Sequence, residues 1–191
     1  MEALLVSAGI VAVSEIGDKT QLLSLMLAAR FRRAVPIILG IFAATILNHA
    51  IAGALGGWIA ANISPETLKW VLGGLFIAIG IWALFPDSLD KEEVKEAKTA
   101  VAIFWITAVS FFFAEIGDKT QIATAALAAK YQAILPVVAG TTLGMLLADI
   151  PAVYLGRFAA VKVQAAWVRY IAAALFIGMG ALTIGASWLG F

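Results

Sequence analysis

The sequence has no cysteine and only one histidine, His49. Disulfides and thiolate metal sites are therefore excluded, and zinc or copper is disfavoured because no second imidazole accompanies the first. Charge is scarce too. Of 191 residues 13% are charged, and 13 lysines and arginines against 12 acids leave a net charge of +1. That balance suggests no polyanionic partner, and without a basic, aromatic-rich surface nucleic acid is not expected. Long polar stretches are also missing. The longest connection between apolar runs is Pro86 to Thr99, so no separate soluble domain is expected.

What fills the chain instead is apolar: 63% of residues are hydrophobic and the mean hydropathy is +1.00, the composition of a membrane protein. A helix needs about 20 residues to cross a bilayer. Six stretches meet that length: Ala3 to Ala29, Ala34 to Ala61, Pro65 to Phe85, Ala100 to Ala129, Ala133 to Ala160 and Val168 to Leu189. The first has no basic start and runs too long for a signal-peptide core, so it is expected to be a span. Uninterrupted runs fit helices rather than the alternating strands of a barrel, which predicts an all-α integral membrane protein with six transmembrane helices. Ser64-Pro65-Glu66 reads as a helix start, Phe85-Pro86 as a stop, and Pro36 and Pro136 as opening-turn prolines. The Gly140 to Gly144 GxxxG predicts close helix packing. Phe111-Phe112-Phe113 and the tryptophans near span ends read as packing and interface anchors.

The heptapeptide Glu15-Ile16-Gly17-Asp18-Lys19-Thr20-Gln21 recurs unchanged as Glu115-Ile116-Gly117-Asp118-Lys119-Thr120-Gln121. The same offset of 100 residues aligns Pro36 with Pro136 and Gly40 with Gly140, so the chain is a duplication. Residues 1–85 form a first three-helix repeat, 86–99 a linker and 100–191 a second repeat. Three spans is an odd number, which inverts the second repeat in the membrane. Basic residues concentrate on the cytoplasmic side of membrane proteins. Arg30, Arg32, Arg33, Lys91, Lys95, Lys98, Arg157, Lys162 and Arg169 fall on one side, against Lys69 and Lys130 on the other. Connections 1–2, 3–4 and 5–6, including the linker, are thus expected in the cytoplasm and both termini outside. The mixed charge of the linker reads as a solvated connection.

Each motif lies near the middle of its span, where a charge costs at least about 2.5–3.5 kcal/mol and must face a partner or an aqueous path. Read as continuous helix, Glu15 and Asp18 share one face, Lys19 at i+4 offsets Glu15, and Gln21 extends the Asp18 face. Gly17 and Gly117 would tolerate a break that frees carbonyls as ligands. Brought together, the repeats supply Glu15, Asp18, Glu115 and Asp118, with oxygens from Gln21, Gln121, Thr20, Thr120 and Ser14 or Ser110. Asn48 and Asp149 add polar groups from spans two and five, and Asp149 precedes Pro151, where a kink is possible. This hard oxygen set suits Mn²⁺, Ca²⁺ or Mg²⁺. The five acids exceed Lys19 and Lys119 by three charges. One divalent ion leaves a single charge over, which protonation of a clustered carboxyl would remove. Glu15 and Glu115 are the candidates for that proton, Lys19 and Lys119 for charge balance. Metal and proton then compete, the basis of an exchanger. His49 reads as a packing or hydrogen-bonding group, and Asn48 as either a ligand or interhelical glue.

The doubled Glu-x-Gly-Asp-Lys-Thr resembles the signature of the Gdt-type Ca²⁺/Mn²⁺:H⁺ exchangers, a family of the lysine-exporter superfamily that includes bacterial manganese exporters and Golgi cation transporters. The similarity covers essentially the whole chain. It implies export of Mn²⁺ from the cytoplasm, with Ca²⁺ as a second substrate and no cofactor beyond the transported ion. The family's motif acids fall on Glu15, Asp18, Glu115 and Asp118. The short chain resembles a prokaryotic inner-membrane member. Three other readings remain, one of them a binding or assembly subunit without transport. A membrane aspartyl hydrolase would pair Asp18 with Asp118, although identical motifs argue against two differentiated roles. A passive divalent-cation channel is the third.

Overall fold

The computed structural model describes residues 1–85, 97–156 and 166–185. Most of the expected linker, Arg157, Lys162 and the ends of the fifth and sixth stretches lie outside the described residues. All regular structure among the described residues is helical. In chain order the helices are α1 (Glu2–Glu15), α2 (Lys19–Phe31), α3 (Ala34–Asn62), α4 (Pro65–Trp82), α5 (Ala100–Glu115), α6 (Lys119–Tyr131), α7 (Ile134–Gly156) and α8 (Ala166–Gly185).

Two expected spans are not continuous. The first stretch is α1 followed by α2, and the fourth is α5 followed by α6, with a 71° bend between them. Gly17 and Gly117 make the interruption, at φ 83° and 73°. That left-handed backbone costs an L-residue about 1–2 kcal/mol, which is why glycine stands there. α3, α7 and Trp167–Gly185 are each long and apolar enough to cross a membrane, and α5 with α6 would make a fourth crossing taken as one bent span. α4 begins as the sequence predicts: the Ser64 hydroxyl accepts from the Thr67 N–H at 3.4 Å, with Pro65 in the first turn. α7 continues through Pro151, which lacks the N–H that would bond to the Leu147 carbonyl.

Packing repeats with the 100-residue offset. α1 lies on α7 as α5 lies on α3, and α2 lies on α7 as α6 lies on α3. Small residues set these approaches. A Cβ at Gly40 would stand 2.8 Å from the Phe104 carbonyl oxygen, and one at Gly140 would meet the equivalent Leu4 carbonyl. Gly56 and Gly156 repeat the pattern against Ala125 and Leu25. In lipid, where burial of apolar surface gives little drive, such close van der Waals contact carries helix association. One core cluster joins Val11, Leu27, Ile41, Ile103, Phe111 and Met145, and another joins Ile10, Leu72, Phe76, Leu127 and Phe176. The opposite face of α3 exposes Val35, Leu39, Phe42 and Ile46 at helical spacing, a stripe suited to lipid.

Candidate cation site

Each motif folds into a helix end, a glycine turn and a new helix start. Glu15 is the last residue of α1 and Asp18 the N-cap of α2, with Glu115 and Asp118 placed identically on α5 and α6. The Asp18 N–H donates to the Glu15 carbonyl at 3.0 Å, and Asp118 to Glu115 at 3.0 Å. Gln21 and Gln121 accept the Gly17 and Gly117 N–H groups at 2.8 Å. Glu15 and Asp18 therefore do not share a face of one helix, because the helix ends between them. Gln21 and Gln121 do not extend that face either: their amide oxygens close the turns. The Gln21 amide also donates to the Ala148 carbonyl at 3.1 Å, tying the turn to α7. Thr20 donates to Glu15, and Thr120 to Glu115 at 2.6 Å.

The two turns meet. Carboxylate oxygens of Glu15, Glu115 and Asp118 lie within 4.8 Å of one another, all buried. The lysines cross between repeats: Lys19 reaches Asp118 at 3.1 Å and Lys119 reaches Asp18. The expected pairing of Lys19 with Glu15 is replaced because i,i+4 proximity requires unbroken helix. The carbonyl ends of α1 and α5, negative poles of their dipoles, arrive beside the acids, while the positive starts of α2 and α6 face them. Glu15 Oε1 and Glu115 Oε2 are buried without a hydrogen-bond donor among the described residues. Since buried acceptors are nearly always satisfied, this acceptor capacity suits a cation.

The unbroken helices α3 and α7 close the site. Asp149 accepts from Ser24 at 2.7 Å and is fully buried, with Oδ2 unbonded among the described residues. Asn48 donates to the Phe112 carbonyl at 3.0 Å, linking α3 to α5, with Oδ1 unbonded among the described residues. Ser14 donates to the Val11 carbonyl at 3.0 Å, and Ser110 is half-buried on α5. His49, expected to serve packing, stands with Nε2 3.5 Å from Glu115 Oε1. Ser24 was not anticipated at all. The offset itself held the signal for His49, since it aligns that residue with Asp149. A cleft with room for about one water runs beside Asp18 and Lys119, lined also by Ser14, Gly17 and Arg169.

Interrupted helices that converge their acids inside an apolar bundle define a membrane protein that handles cations. The family model for the "Divalent cation/proton antiporter GDT1" matches residues 3–91 and 103–190, and the chain belongs to that family. It is a transporter and not an enzyme, which sets aside the hydrolase reading. It is 49% identical to a Vibrio cholerae protein described as "Putative manganese exporter", over 96% of this chain and 90% of that one. A GDT1-like protein of Synechocystis is 33% identical over 87% of this chain and 89% of its own. A GDT1-like protein 3 of rice is 28% identical over 93% and 71%. No solved structure matches.

Proposed function

We propose that this chain exports Mn²⁺ from the cytoplasm in exchange for protons, with Ca²⁺ as a second substrate, through a site of Glu15, Asp18, Glu115 and Asp118 with Asp149 beside it. The observation that carries the reading is the convergence of Glu15, Glu115 and Asp118 from opposite repeats. The name of the Vibrio relative supports manganese over calcium.

The ion enters between the two turns, where Lys19 and Lys119 hold the aspartates until a divalent charge replaces them. One carboxyl takes a proton when the metal leaves, since clustered buried acids cannot all stay ionised without a cation. Gln21, Gln121, Thr20 and Thr120 hold the turns and orient the acids; Asn48 braces α3 against α5. The six stretches, two of them interrupted, form six spans in two inverted repeats, with both termini outside a bacterial inner membrane. The matched packing of α1 on α7 and α5 on α3, and the split of basic residues, support that arrangement.

The test is flux in proteoliposomes with Mn²⁺, Ca²⁺ and Mg²⁺ under an imposed pH difference. Uphill Mn²⁺ movement driven by the proton gradient is expected. Movement only down the metal's own gradient would make the chain a channel.

A further inference from the structure

His49 is the only histidine in the chain, and it is fully buried. A neutral imidazole carries one donor and one acceptor nitrogen, and both normally find partners once removed from water. Neither nitrogen of His49 has a hydrogen-bond partner among the described residues, and its nearest charged neighbour is Glu115 Oε1, 3.5 Å from Nε2. Thr45 lies one turn before His49 and three residues before Asn48, and Thr45 Oγ1 and Asn48 Oδ1 are also buried without a donor among the described residues. His49 therefore presents an uncommitted nitrogen toward the acid that closes α5. A packing histidine would be expected to bond a carbonyl or hydroxyl instead.

The repeat offset shows that this nitrogen is an addition rather than part of the common plan. The positions equivalent to Thr45, Asn48 and His49 on α7 are Met145, Ala148 and Asp149. The duplicated acids, amides and hydroxyls offer oxygen and the duplicated lysines are cations without a lone pair, whereas α3 offers an imidazole nitrogen. That difference bears on ion choice. Ca²⁺ and Mg²⁺ are bound through oxygen, whereas imidazole nitrogen adds affinity for first-row transition ions.

We propose that His49 is the selectivity ligand, its Nε2 joining Glu115 on the transported ion and tilting an otherwise oxygen-lined site toward Mn²⁺ over Ca²⁺ and Mg²⁺. This rests on the carboxylate site proposed above and adds the atom that discriminates within it. Because imidazole affinity rises along the first transition row, Fe²⁺ and Co²⁺ compete with Mn²⁺ while Mg²⁺ does not.

Electron spin echo spectroscopy of Mn²⁺ bound to protein freed of any histidine tag tests the contact directly. With a single histidine in the chain, a coupling with the parameters of a directly bound imidazole nitrogen is assigned to His49. The expected result is a ¹⁴N modulation in the wild type that is lost in His49→Gln, which offers an amide oxygen instead. Competition binding on the same two proteins should show the Mn²⁺ preference over Ca²⁺ falling by at least about tenfold, the scale on which metal sites respond to loss of a supporting partner. Bound Mn²⁺ without nitrogen modulation in the wild type would overturn the proposal and leave the carboxylate site standing. An unchanged Mn²⁺ to Ca²⁺ ratio in His49→Gln would do the same. Failure of the wild type to bind Mn²⁺ at all would instead remove the site on which the proposal rests. The wild-type spectrum decides the matter even if the variant does not fold.

Discussion

The two motif turns have the same seven residues and different surroundings. Around the first, Val13 packs against Ala83, Ala172 and Ala173 where the ends of α4 and α8 lie over α1, and Lys119 is 5% exposed. Around the second, Ile116 is 51% exposed, Gly117 is exposed and Lys19 is 25% exposed. Phe113, the equivalent of Val13, is 64% exposed. The cause is the α4 and α8 pair, which packs on α6 and α1 with no comparable contact, among the described residues, on the equivalent α2 and α5. Seven identical residues in unequal settings leave room for a second state in which the settings are exchanged. If α4 and α8 rock to the other turn, a second state of similar energy results, the repeat-based form of alternating access.

The strongest way to break the comparison is to freeze it. Val13→Cys with Ala172→Cys places one thiol on each side of the covered turn, in a chain with no other cysteine. Oxidation is expected to stop proteoliposome Mn²⁺ flux nearly completely, and reductant to restore it. Phe113→Cys with Leu72→Cys, the pair 100 residues away, should cross-link only while the protein is turning over. Free transport in the oxidised first pair would show that α8 stays over α1 throughout the cycle.

Next come the acids. Glu15→Gln and Glu115→Gln sit on opposite sides of the asymmetry but in one cluster. Each is expected to lower Mn²⁺ affinity by about 10- to 100-fold or more, a scale already reached by losing a partner outside the ligand set. Equal losses in isothermal titration would indicate one shared site; a loss confined to one variant would split the cluster into two.

Parts of this arrangement were readable from sequence, and the rest had physical reasons to be hidden. α3 runs from Ala34 to Asn62 against an expected end at Ala61, because an apolar run with polar flanks marks its own limits. The convergence of Glu15, Glu115 and Asp118 followed from the cost of charge in lipid, which demands a partner, whereas Asp18, expected with them, pairs with Lys119. The interruption at Gly17 was visible only as a permission: glycine allows a left-handed turn, but the Gln21 bond to the Ala148 carbonyl and the crossing lysines help make it favourable, and those are tertiary. Reading Lys19 against Glu15 failed for the same reason. The unequal cover of the turns could not be read at all, since the repeated residues are identical.

The lysines grade the asymmetry. Lys119 is nearly sealed beside Asp18, while Lys19 reaches Asp118 from a partly open position. Removing a buried partner costs more than removing a screened one. Lys119→Ala should therefore lower the thermal unfolding midpoint and slow Mn²⁺ flux more than Lys19→Ala does. Matching effects would mean that both turns spend equal time covered, and the contrast between them would describe one moment of a fast exchange.

The smallest effect isolates the turn itself. A Cβ at Gly117 would meet nothing within 4 Å, so Gly117→Ala introduces no clash and tests only the left-handed backbone. The cost is expected to be about 1–2 kcal/mol in a denaturation midpoint shift. Gly117→Asn should recover part of it, because asparagine tolerates that conformation better. The same pair of substitutions at Gly17, where Ala83 and the α8 residues Arg169 and Ala172 line the cleft beside the turn, carries the same kind of backbone term plus whatever contact is made across that cleft. The difference between the two alanine variants then measures what the cover contributes. If both cost the same, the helices over the first turn rest on it without pressing, and rocking them away is easy.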